Sequence, residues 1–417
     1  MKSGYRPRHV DATLANALRA SGAVVIEGAR GCGKTMTALN SAASHVFLDT
    51  TEASQMLDIA PDALLAGDRP RLLDEWQLAP ELWNLVRRDV DRSGETGQFI
   101  LTGSSLPADD VSRHSGAGRF IRLRERTMTW SEAEPPQNIV SLAALFDGSV
   151  PSPNTETSDF PTTVTRLVRS GFPALLDRSD ADRRLLLNAY LEEIVRTDVG
   201  RLSKLRHEPA TLRALMRAIA RNSATEVTYA NLRRDLIATS PSIAVETVAS
   251  YVELLERLYV VERQLPWTPA LRSRARLRQS PKLHLADPGL AAAALGASSE
   301  ALERDPETVG FLFESQAFHD LSVLVGSLGG EVRHMRDSNG NEIDAVLVLD
   351  DGRWAAVEVK VGARQIPAGA ESLAHAVSQV DTDLVGEPAF RLVLTATGGT
   401  FMLADGTVTA PLHSLVP

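Results

Sequence analysis

The stretch E-G-A-R-G-C-G-K-T, Glu27–Thr35, predicts the fold of the first part of the chain. An apolar run, Ala23–Ile26, precedes it, and a helical pattern, Met36–Leu39, follows it. The stretch fits the P-loop pattern G-x-x-x-x-G-K-[ST], whose glycines let backbone N–H groups turn toward a phosphate chain at the start of a helix. Strand, loop and helix in this order predict a nucleotide-binding domain.

The loop supplies the first candidate ligands for ATP and Mg²⁺. Lys34 has the reach to contact the β- and γ-phosphates, and the Thr35 hydroxyl is a suitable Mg²⁺ ligand. The residues predicted to bind the nucleotide here are Gly28, Gly31, Gly33, Lys34 and Thr35. ATP and Mg²⁺ are therefore the predicted cofactors. The alternative is a glycine-rich turn that only joins a strand to a helix.

Two carboxylates follow an apolar run about 40 residues after the P-loop, in R-L-L-D-E, Arg71–Glu75. This is the Walker B arrangement, in which Asp74 would hold Mg²⁺ through water and Glu75 would polarise the attacking water. A later strand, Phe99–Gly103, runs into a small polar turn that should lie beside Asp74. Thr102 or Ser104 is predicted to sense the γ-phosphate, and the sequence does not decide between the two hydroxyls.

The composition is that of a soluble, multidomain protein. The 417 residues are 43% hydrophobic and 23% charged, and no apolar run approaches the ~20 residues of a membrane helix. The first residues lack the apolar core of a signal peptide, and the single cysteine, Cys32, excludes an internal disulfide framework. A cytoplasmic location without membrane contact is the expectation.

Several short motifs together resemble a known family. They are G-A-R-G-C-G-K-T, L-L-D-E-W-Q, I-L-T-G-S-S, G-A-G-R-F and T-M-T-W-S-E. In this order they are similar to the bacterial and archaeal AAA+-type ATPases that carry a C-terminal DUF4143 domain. The resemblance makes Arg119 a candidate catalytic arginine, acting within its own chain or from a neighbouring subunit of a homo-oligomer. An ordinary surface arginine is the open alternative.

The predicted fold class is α/β, with three domains and one linker. An AAA+-like P-loop NTPase domain is expected over residues 1–135, and a Pro/Ser/Thr-rich linker or long loop over residues 136–170. Residues 171–282 are expected to form a helical, winged-helix domain. Residues 283–417 are expected to form an α/β restriction-endonuclease-like domain of the DUF4143 type.

The middle of the chain is a candidate surface for double-stranded DNA. Residues 196–282 carry 16 Lys and Arg against 8 Asp and Glu, a local charge of +8 in a chain of net charge −9. Three helical segments before a strand pair follow the winged-helix order. The arginines predicted to contact phosphate are Arg233, Arg234, Arg272, Arg274, Arg276 and Arg278. A solvated or subunit-facing charged strand is the alternative.

The last domain carries the spacing N-E-I-D-(x13)-E-V-K, with Asp344, Glu358 and Lys360. This is the pattern of the PD-(D/E)xK nuclease fold, which the resembling family also has. Glu314 would complete a second Mg²⁺ site with Asp344 and Glu358, while Glu358 and Lys360 would be catalytic. A three-residue turn is predicted, because only an odd-length turn or a bulge sets Asp344 opposite Glu358.

Two hypotheses of function follow. In the first, the chain is an ATPase that acts on DNA through the basic middle and the nuclease-like end. In the second, it is an ATP-dependent regulatory switch whose C-terminal domains bind protein partners and have no nuclease activity. A small-molecule kinase is a weaker third idea, because the Asp74–Glu75 pair and the long multidomain chain count against it.

Overall fold

The structure is a computed structural model that describes residues 4–105, 116–136, 138–155, 158–199, 208–272 and 274–417. No helix in these ranges is both long enough and apolar enough to cross a membrane.

The first unit is a five-stranded parallel sheet with helices on both faces, as the P-loop pattern predicts. Its elements are α1 (Val10–Ala20), β1 (Ala23–Glu27), α2 (Lys34–Ser41), β2 (Ser44–Phe47), α3 (Thr51–Ile59), β3 (Arg71–Asp74), α4 (Leu82–Ser93), β4 (Phe99–Gly103) and β5 (Phe120–Arg124). The strand order is β2-β3-β4-β1-β5. Val24 and Ile26 pack in one core with residues of α1 and α2, while Ala23 and Val25 pack in another with residues of α4. The alternation of side chains along β1 thus anchors both helical layers.

The segment predicted as a linker, residues 136–170, contains regular elements. They are β6 (Val140–Ser141), α6 (Leu142–Phe146) and α7 (Phe160–Arg169), after the short α5 (Trp130–Ala133). Leu142, Leu145 and Phe146 are buried in the largest apolar core of the chain. The prediction of a structureless linker was wrong over these stretches, because flanking Pro and Ser residues obscured a short apolar helix.

The middle unit is mainly helical and ends in an antiparallel strand pair. Its elements are α8 (Asp180–Glu193), α9 (Pro209–Arg221), α10 (Tyr229–Leu236), α11 (Val245–Arg257), β7 (Val261–Gln264), β8 (Lys282–Leu285), α12 (Pro288–Leu295) and α13 (Ser299–Glu303). Strand β7 pairs with β8, and Glu226 forms an isolated bridge with Lys282. The expected domain boundary after residue 282 falls inside β8.

The last unit is a six-stranded mixed sheet between two helices. Its elements are α14 (Pro306–Ser327), β9 (Gly330–Arg336), β10 (Glu342–Leu349), β11 (Trp354–Lys360), α15 (Ile366–Ser378), α16 (Thr382–Val385), β12 (Arg391–Thr395), β13 (Phe401–Met402), β14 (Val408–Pro411) and β15 (Leu415–Val416). The sheet order is β13-β14-β12-β11-β10-β9, and residues of α14 and of α15 belong to two different cores on it. Strand β15 lies outside this sheet and pairs in parallel with β6.

A buried polar segment, residues 125–132, joins the three units. The Arg126 guanidinium donates to the Glu262 carboxylate of β7 at 2.9 Å. The Thr127 hydroxyl lies 2.9 Å from His319 Nε2 of α14, and the Trp130 N–H donates to Asp320 of the same helix at 3.0 Å. The segment that leaves the first sheet therefore contacts both later units.

Candidate functional site

The P-loop lies between the carboxyl end of β1 and the start of α2. Gly31 and Gly33 have positive φ values of 78° and 126°, a backbone region that favours glycine. A Cβ at Gly28 would lie 2.0 Å from the Glu125 carbonyl oxygen, so no side chain fits there. Lys34 Nζ donates to the carbonyl oxygens of Gly28 and Ala29 at 3.0 and 2.9 Å. The backbone of the loop therefore surrounds the Lys34 ammonium.

The predicted Mg²⁺ ligands of the P-loop and of β3 lie side by side. The Thr35 hydroxyl donates to Asp74 Oδ1 at 2.9 Å, at the carboxyl end of the sheet. Burial raises the pKa of Asp74 above its usual value, although hydrogen bonds from Thr102 and Thr35 oppose the shift. A hydroxyl and a carboxylate at this distance are the oxygen donors that Mg²⁺ takes beside nucleotide phosphates, so the residues fit the ion.

Thr102 and Ser104, between which the sequence left the choice open, each bind a different carboxylate. The Thr102 hydroxyl donates to Asp74 Oδ1 at 2.5 Å and accepts a hydrogen bond from the Glu75 N–H at 3.1 Å. The Ser104 hydroxyl donates to Glu75 Oε2 at 2.9 Å. Glu75 itself has a left-handed backbone with φ 58°, which is uncommon for a non-glycine residue and recurs at functional sites.

A buried ion-pair network beneath the P-loop was not predicted. Arg8 Nη1 donates to Glu125 Oε1 at 2.9 Å and to the Cys32 carbonyl at 3.0 Å, and its Nε lies 3.2 Å from Glu132. The Thr37 hydroxyl of α2 donates to the same Glu125 oxygen at 3.0 Å. Burial raises the pKa of Glu125 to about 7, against the attraction of Arg8 and Lys34. Arg8 is separated from Glu125 by more than 100 residues, so no local pattern signals the pair.

Side chains of the middle unit lie over the P-loop. We call Phe172, Pro173, Tyr190 and Tyr259 the P-loop cover. The Tyr190 hydroxyl donates to the Arg30 carbonyl at 3.1 Å, and Tyr259 packs with Ala29 and Cys32. A Cβ at Gly31 would lie 3.8 Å from the Phe172 ring, and one at Gly33 would lie 3.7 Å from Pro173.

A second constellation surrounds Lys282. We call Glu314, Glu342, Asp344 and Glu358 the carboxylate cluster. Lys282 Nζ lies 2.7 Å from Glu314 and 2.8 Å from Glu342, and the lysine side chain is 1% exposed. Burial alone would lower the pKa of Lys282, but the carboxylates of Glu314, Asp344 and Glu342 outweigh it and raise the pKa.

The strand register predicted for the last domain is the one observed. Ala345 pairs with Val357, so the same register sets Asp344 opposite Glu358. Asp344 Oδ2 accepts a hydrogen bond from the Val359 N–H at 2.8 Å, and Lys360 Nζ lies 2.7 Å from Glu358. Burial raises the pKa of Glu358 to about 7, and the Asp344 charge adds to the shift.

The second Mg²⁺ site predicted from Glu314, Asp344 and Glu358 is not formed. Among the described residues, no group of three or more carboxylate, imidazole or thiol ligands is placed to hold a metal ion. The physical reason is the Lys282 ammonium, which binds Glu314 directly and places a positive charge among the carboxylates. These residues do not fit a divalent cation in this arrangement.

Three family models match the chain. An AAA domain model matches residues 20–134, a domain of unknown function, DUF8612, matches residues 161–301, and another, DUF4143, matches residues 309–415. The chain carries an AAA domain and a DUF4143 domain. The P-loop, Asp74 and Thr102 all lie in the AAA domain. The carboxylate cluster lies in the DUF4143 domain, whereas Lys282 comes from the DUF8612 domain.

Two curated relatives and two solved structures are similar to the chain. The uncharacterized proteins Mb2031c of Mycobacterium bovis and Rv2008c of Mycobacterium tuberculosis are each 26% identical over 418 residues, covering 98% of this chain and 84% of the relative. The Walker-type ATPase PABY2304 of Pyrococcus abyssi has a TM-score of 0.44 at 13% identity, covering 70% of this chain and 97% of its own. The Aeropyrum pernix ORC1 protein in complex with DNA has a TM-score of 0.27 at 14% identity, covering 73% and 95%. Neither structure is close enough to support an argument about this chain.

Arg119 lies at the wrong edge of the AAA domain sheet to reach its own P-loop. Phe120, the next residue, pairs with Ala23 at the amino end of β1, whereas the P-loop follows the carboxyl end. Arg119 is exposed, and its Nε donates to Asp91 of α4 at 2.7 Å. A catalytic role within the same chain is therefore excluded by geometry. A role from a neighbouring subunit stays a prediction.

The candidate DNA-contacting arginines fall into two groups. The arginine segment, residues 271–272 and 274–278, forms isolated bridges from Leu271 to Val380 and from Leu277 to Asp337, so it lies along the DUF4143 domain, and these described residues form no regular strand. Its four arginines, Arg272, Arg274, Arg276 and Arg278, are all exposed.

The other two candidates lie on α10 of the DUF8612 domain. Arg234 is exposed, and its guanidinium contacts the Asn231 side-chain oxygen. Arg233 is half-buried and donates from Nε to the Ile243 carbonyl at 2.8 Å. This bond ties α10 to the turn before α11, and it limits what the Arg233 guanidinium can offer to phosphate.

Proposed function

We propose that the chain is a Mg²⁺-dependent ATP hydrolase that acts on DNA. The observation that carries the hydrolase part is the contact of Thr35 and Thr102 with Asp74, one residue before a Glu75 oriented by Ser104. Together with the AAA domain match, this supports a cation-holding pair and a water-orienting carboxylate at one edge of the sheet.

The chemistry divides among the residues of this edge. Lys34 would exchange its two loop carbonyls for the β- and γ-phosphate oxygens when nucleotide enters. Thr35 and Asp74 would hold Mg²⁺, which neutralises phosphate charge. Glu75 would accept a hydrogen bond from the attacking water and orient it in line with the γ-phosphate. The Ser104 hydroxyl and the Gln77 side-chain amide both donate to Glu75 Oε2 and would keep the carboxylate turned toward that position.

The hydrolase assignment is tested by ATP turnover in purified full-length protein. Lys34→Ala should lose nucleotide binding or turnover, and Glu75→Gln should retain binding of a fluorescent ATP analogue while turnover falls at least tenfold. Arg88→Ala, an exposed arginine on α4, serves as the control that keeps wild-type rates. Unchanged turnover in Lys34→Ala would refute the assignment.

The DNA part of the proposal rests on the arginine segment. Four exposed guanidinium groups within seven residues, in a region of local charge +8, form a cationic surface on an otherwise acidic chain. Arg272 also donates to the Thr382 hydroxyl at 2.5 Å, and Arg278 lies 3.5 Å from Glu226. Contacts with phosphate would compete with these neutral or weak interactions at little cost.

The salt dependence of DNA binding tests whether these four arginines contact phosphate. Neutralising four phosphates predicts a slope of roughly −3 to −4 in log K against log salt. Replacing the four arginines of the segment with Gln should remove most of the slope, measured by anisotropy with a double-stranded oligonucleotide. A control variant, in which exposed Arg19, Arg88 and Arg92 are replaced, should keep it. DNA should also stimulate ATP turnover at low salt.

A regulatory switch that binds a protein partner is the second candidate. The P-loop cover favours it, because the DUF8612 domain contacts the loop that nucleotide must enter. Nucleotide would then change how this domain sits on the AAA domain, without any role for DNA. No retention on a DNA column at low salt and ATP turnover indifferent to DNA would support the switch over the first proposal.

A further inference from the structure

Lys282 brings a charge from outside the DUF4143 domain into its carboxylate cluster. It opens β8, a strand that the DUF8612 match includes, and its ammonium lies within 2.8 Å of two carboxylates, Glu314 and Glu342. Glu314 comes from α14 and Glu342 from the start of β10, so one ammonium binds both elements.

The position of Lys282 is fixed by bonds on both sides of the residue. Lys282 pairs with Gln264 across the β7–β8 ribbon and forms a bridge with Glu226. The Gln264 side-chain amide donates to the Asp344 carbonyl at 2.8 Å and to the Arg333 carbonyl at 3.0 Å. The ribbon is thus attached to β10 and β9 beside the cluster. Moving the lysine away would break these bonds as well as the ion pairs.

The Lys282 ammonium already occupies the space beside Glu314 where a second cation would lie. Lys282 and Lys360 together supply two positive charges, and Lys360 is bound to Glu358. A divalent ion bound by Glu314 and Asp344 would lie close to the Lys282 ammonium in a buried site, where like charges repel strongly. The ammonium and the metal ion are therefore mutually exclusive occupants.

We infer that Lys282 is the built-in cation of the carboxylate cluster and that it takes the place a divalent metal ion would occupy there. The DUF4143 domain is then held together by an ammonium from the DUF8612 domain, and metal-dependent phosphodiester cleavage is not an activity of this arrangement. This inference does not depend on the ATPase or DNA proposals.

The surface beside the cluster supports the inference. A cleft of about 400 Å³, lined in part by Glu314, Lys360 and Gln365, lies beside the cluster. Ions in solution can therefore approach the cluster through this cleft, and what excludes a metal ion is the charge of Lys282.

The experiment removes the ammonium and asks whether a metal ion replaces it. Mn²⁺ is titrated into nucleotide-free, full-length Asp74→Ala protein, which lacks the proposed cation ligand of the nucleotide site, and into the same protein with Lys282→Met. Calorimetry should show no Glu358-dependent Mn²⁺ site in the first protein and one site in the second. Lys282→Met should lower the melting temperature by several degrees, and Mn²⁺ should restore it.

Two controls make the result specific. Adding Glu358→Gln to Lys282→Met should abolish the new Mn²⁺ site. Arg263→Met removes a different cation from the same ribbon, one paired with Glu256, and should create no Mn²⁺ site. A folded Lys282→Met protein that binds no Mn²⁺ would overturn the inference.

The wild-type cluster provides the test if Lys282→Met does not fold. Equal Mn²⁺ binding by the wild-type chain and by Glu358→Gln supports the inference. A Mn²⁺ site in the wild-type chain that disappears in Glu358→Gln contradicts it, as would Mn²⁺-dependent nicking of plasmid DNA that Glu358→Gln abolishes.

Discussion

At the scale of single residues, two hydroxyls on one strand end have separate partners. Thr102 holds Asp74, the proposed cation ligand, while Ser104 holds Glu75, the proposed water-orienting carboxylate. Thr102 lies on β4 and Ser104 in the bend directly after it, so one strand end positions both acids. Removing each hydroxyl should therefore change a different parameter of ATP turnover.

Thr102→Val should raise the Mg²⁺ concentration at which turnover is half-maximal, because Asp74 loses the shorter of its two hydroxyl donors. Ser104→Ala should lower kcat several-fold with little change in the Mg²⁺ concentration at half-maximal rate. Turnover measured across a Mg²⁺ titration distinguishes the two outcomes. Equal shifts of both parameters in both variants would show that the hydroxyls act as one unit.

Glu125 makes the stability of the AAA domain depend on pH. Its pKa in the folded chain is about 7, above the ordinary value of 4.5, because burial disfavours the charged carboxylate. A raised pKa means that the folded state binds the proton more tightly. The resulting stabilisation is complete below about pH 4.5 and is lost as the pH rises through about 7.

Glu125→Gln should remove this pH dependence. The stability of the wild-type chain relative to the variant should fall by up to about 3 kcal/mol between pH 4.5 and pH 8, if the full shift is realised. Melting temperatures of both proteins at pH 5, 6, 7 and 8 provide the measurement. Parallel curves for the two proteins would contradict the prediction.

At the scale of elements, one capping residue joins three segments of chain. Asp287 caps α12 by accepting from the Leu290 N–H at 3.0 Å. Its other oxygen accepts from the Thr127 hydroxyl at 3.0 Å and from the Gly171 N–H at 2.8 Å. The residue is 1% exposed, so water cannot replace these bonds.

Asp287→Ala should therefore cost far more than the loss of an ordinary helix cap. Leaving buried donors without partners predicts a loss of about 3–5 kcal/mol. Asp305→Ala is the matched control, because Asp305 caps α14 from an exposed position and should cost about 1 kcal/mol. Thermal or urea unfolding of the two variants compares them. Equal losses would show that the junction adds nothing to the cap.

Elements marked by contiguous patterns could be predicted, and contacts between distant segments could not. The P-loop, the strand that ends at Asp74 and the register that sets Asp344 opposite Glu358 each follow from a short stretch of sequence. Tyr259 and Lys282 contact partners in other units, and Arg8 contacts Glu125 more than 100 residues away, so no local spacing predicts these contacts. Lys282 in particular changes the predicted chemistry of the C-terminal cluster, although every residue of the metal-site pattern is present.

At the scale of the whole molecule, the P-loop cover links nucleotide entry to the position of the DUF8612 domain. Tyr190 and Phe172 lie 4.9 Å apart between ring centroids, and both contact the loop or its glycines. Gly28, Ala29, Cys32 and Lys34 are buried in this arrangement. We expect nucleotide to reach Lys34 more readily when the cover moves away from the loop.

Tyr190→Phe should speed nucleotide association by about fivefold, because it removes one hydrogen bond worth about 1 kcal/mol from the closed arrangement. Stopped-flow binding of a fluorescent ATP analogue measures the rate. Tyr229→Phe, which loses a hydroxyl contact with Arg263 away from the P-loop, should bind at the wild-type rate. An unchanged rate in Tyr190→Phe would mean that this bond does not limit entry.

The P-loop cover also has a consequence for the synthesis of the protein on the ribosome. All five strands of the AAA sheet lie before residue 125, whereas Tyr259 is added about 135 residues later. At synthesis rates of roughly 5–20 residues per second, the emerging sheet has an interval on the order of ten seconds before the last part of its cover is made. We expect the nascent chain to present its P-loop to ATP before the cover is complete.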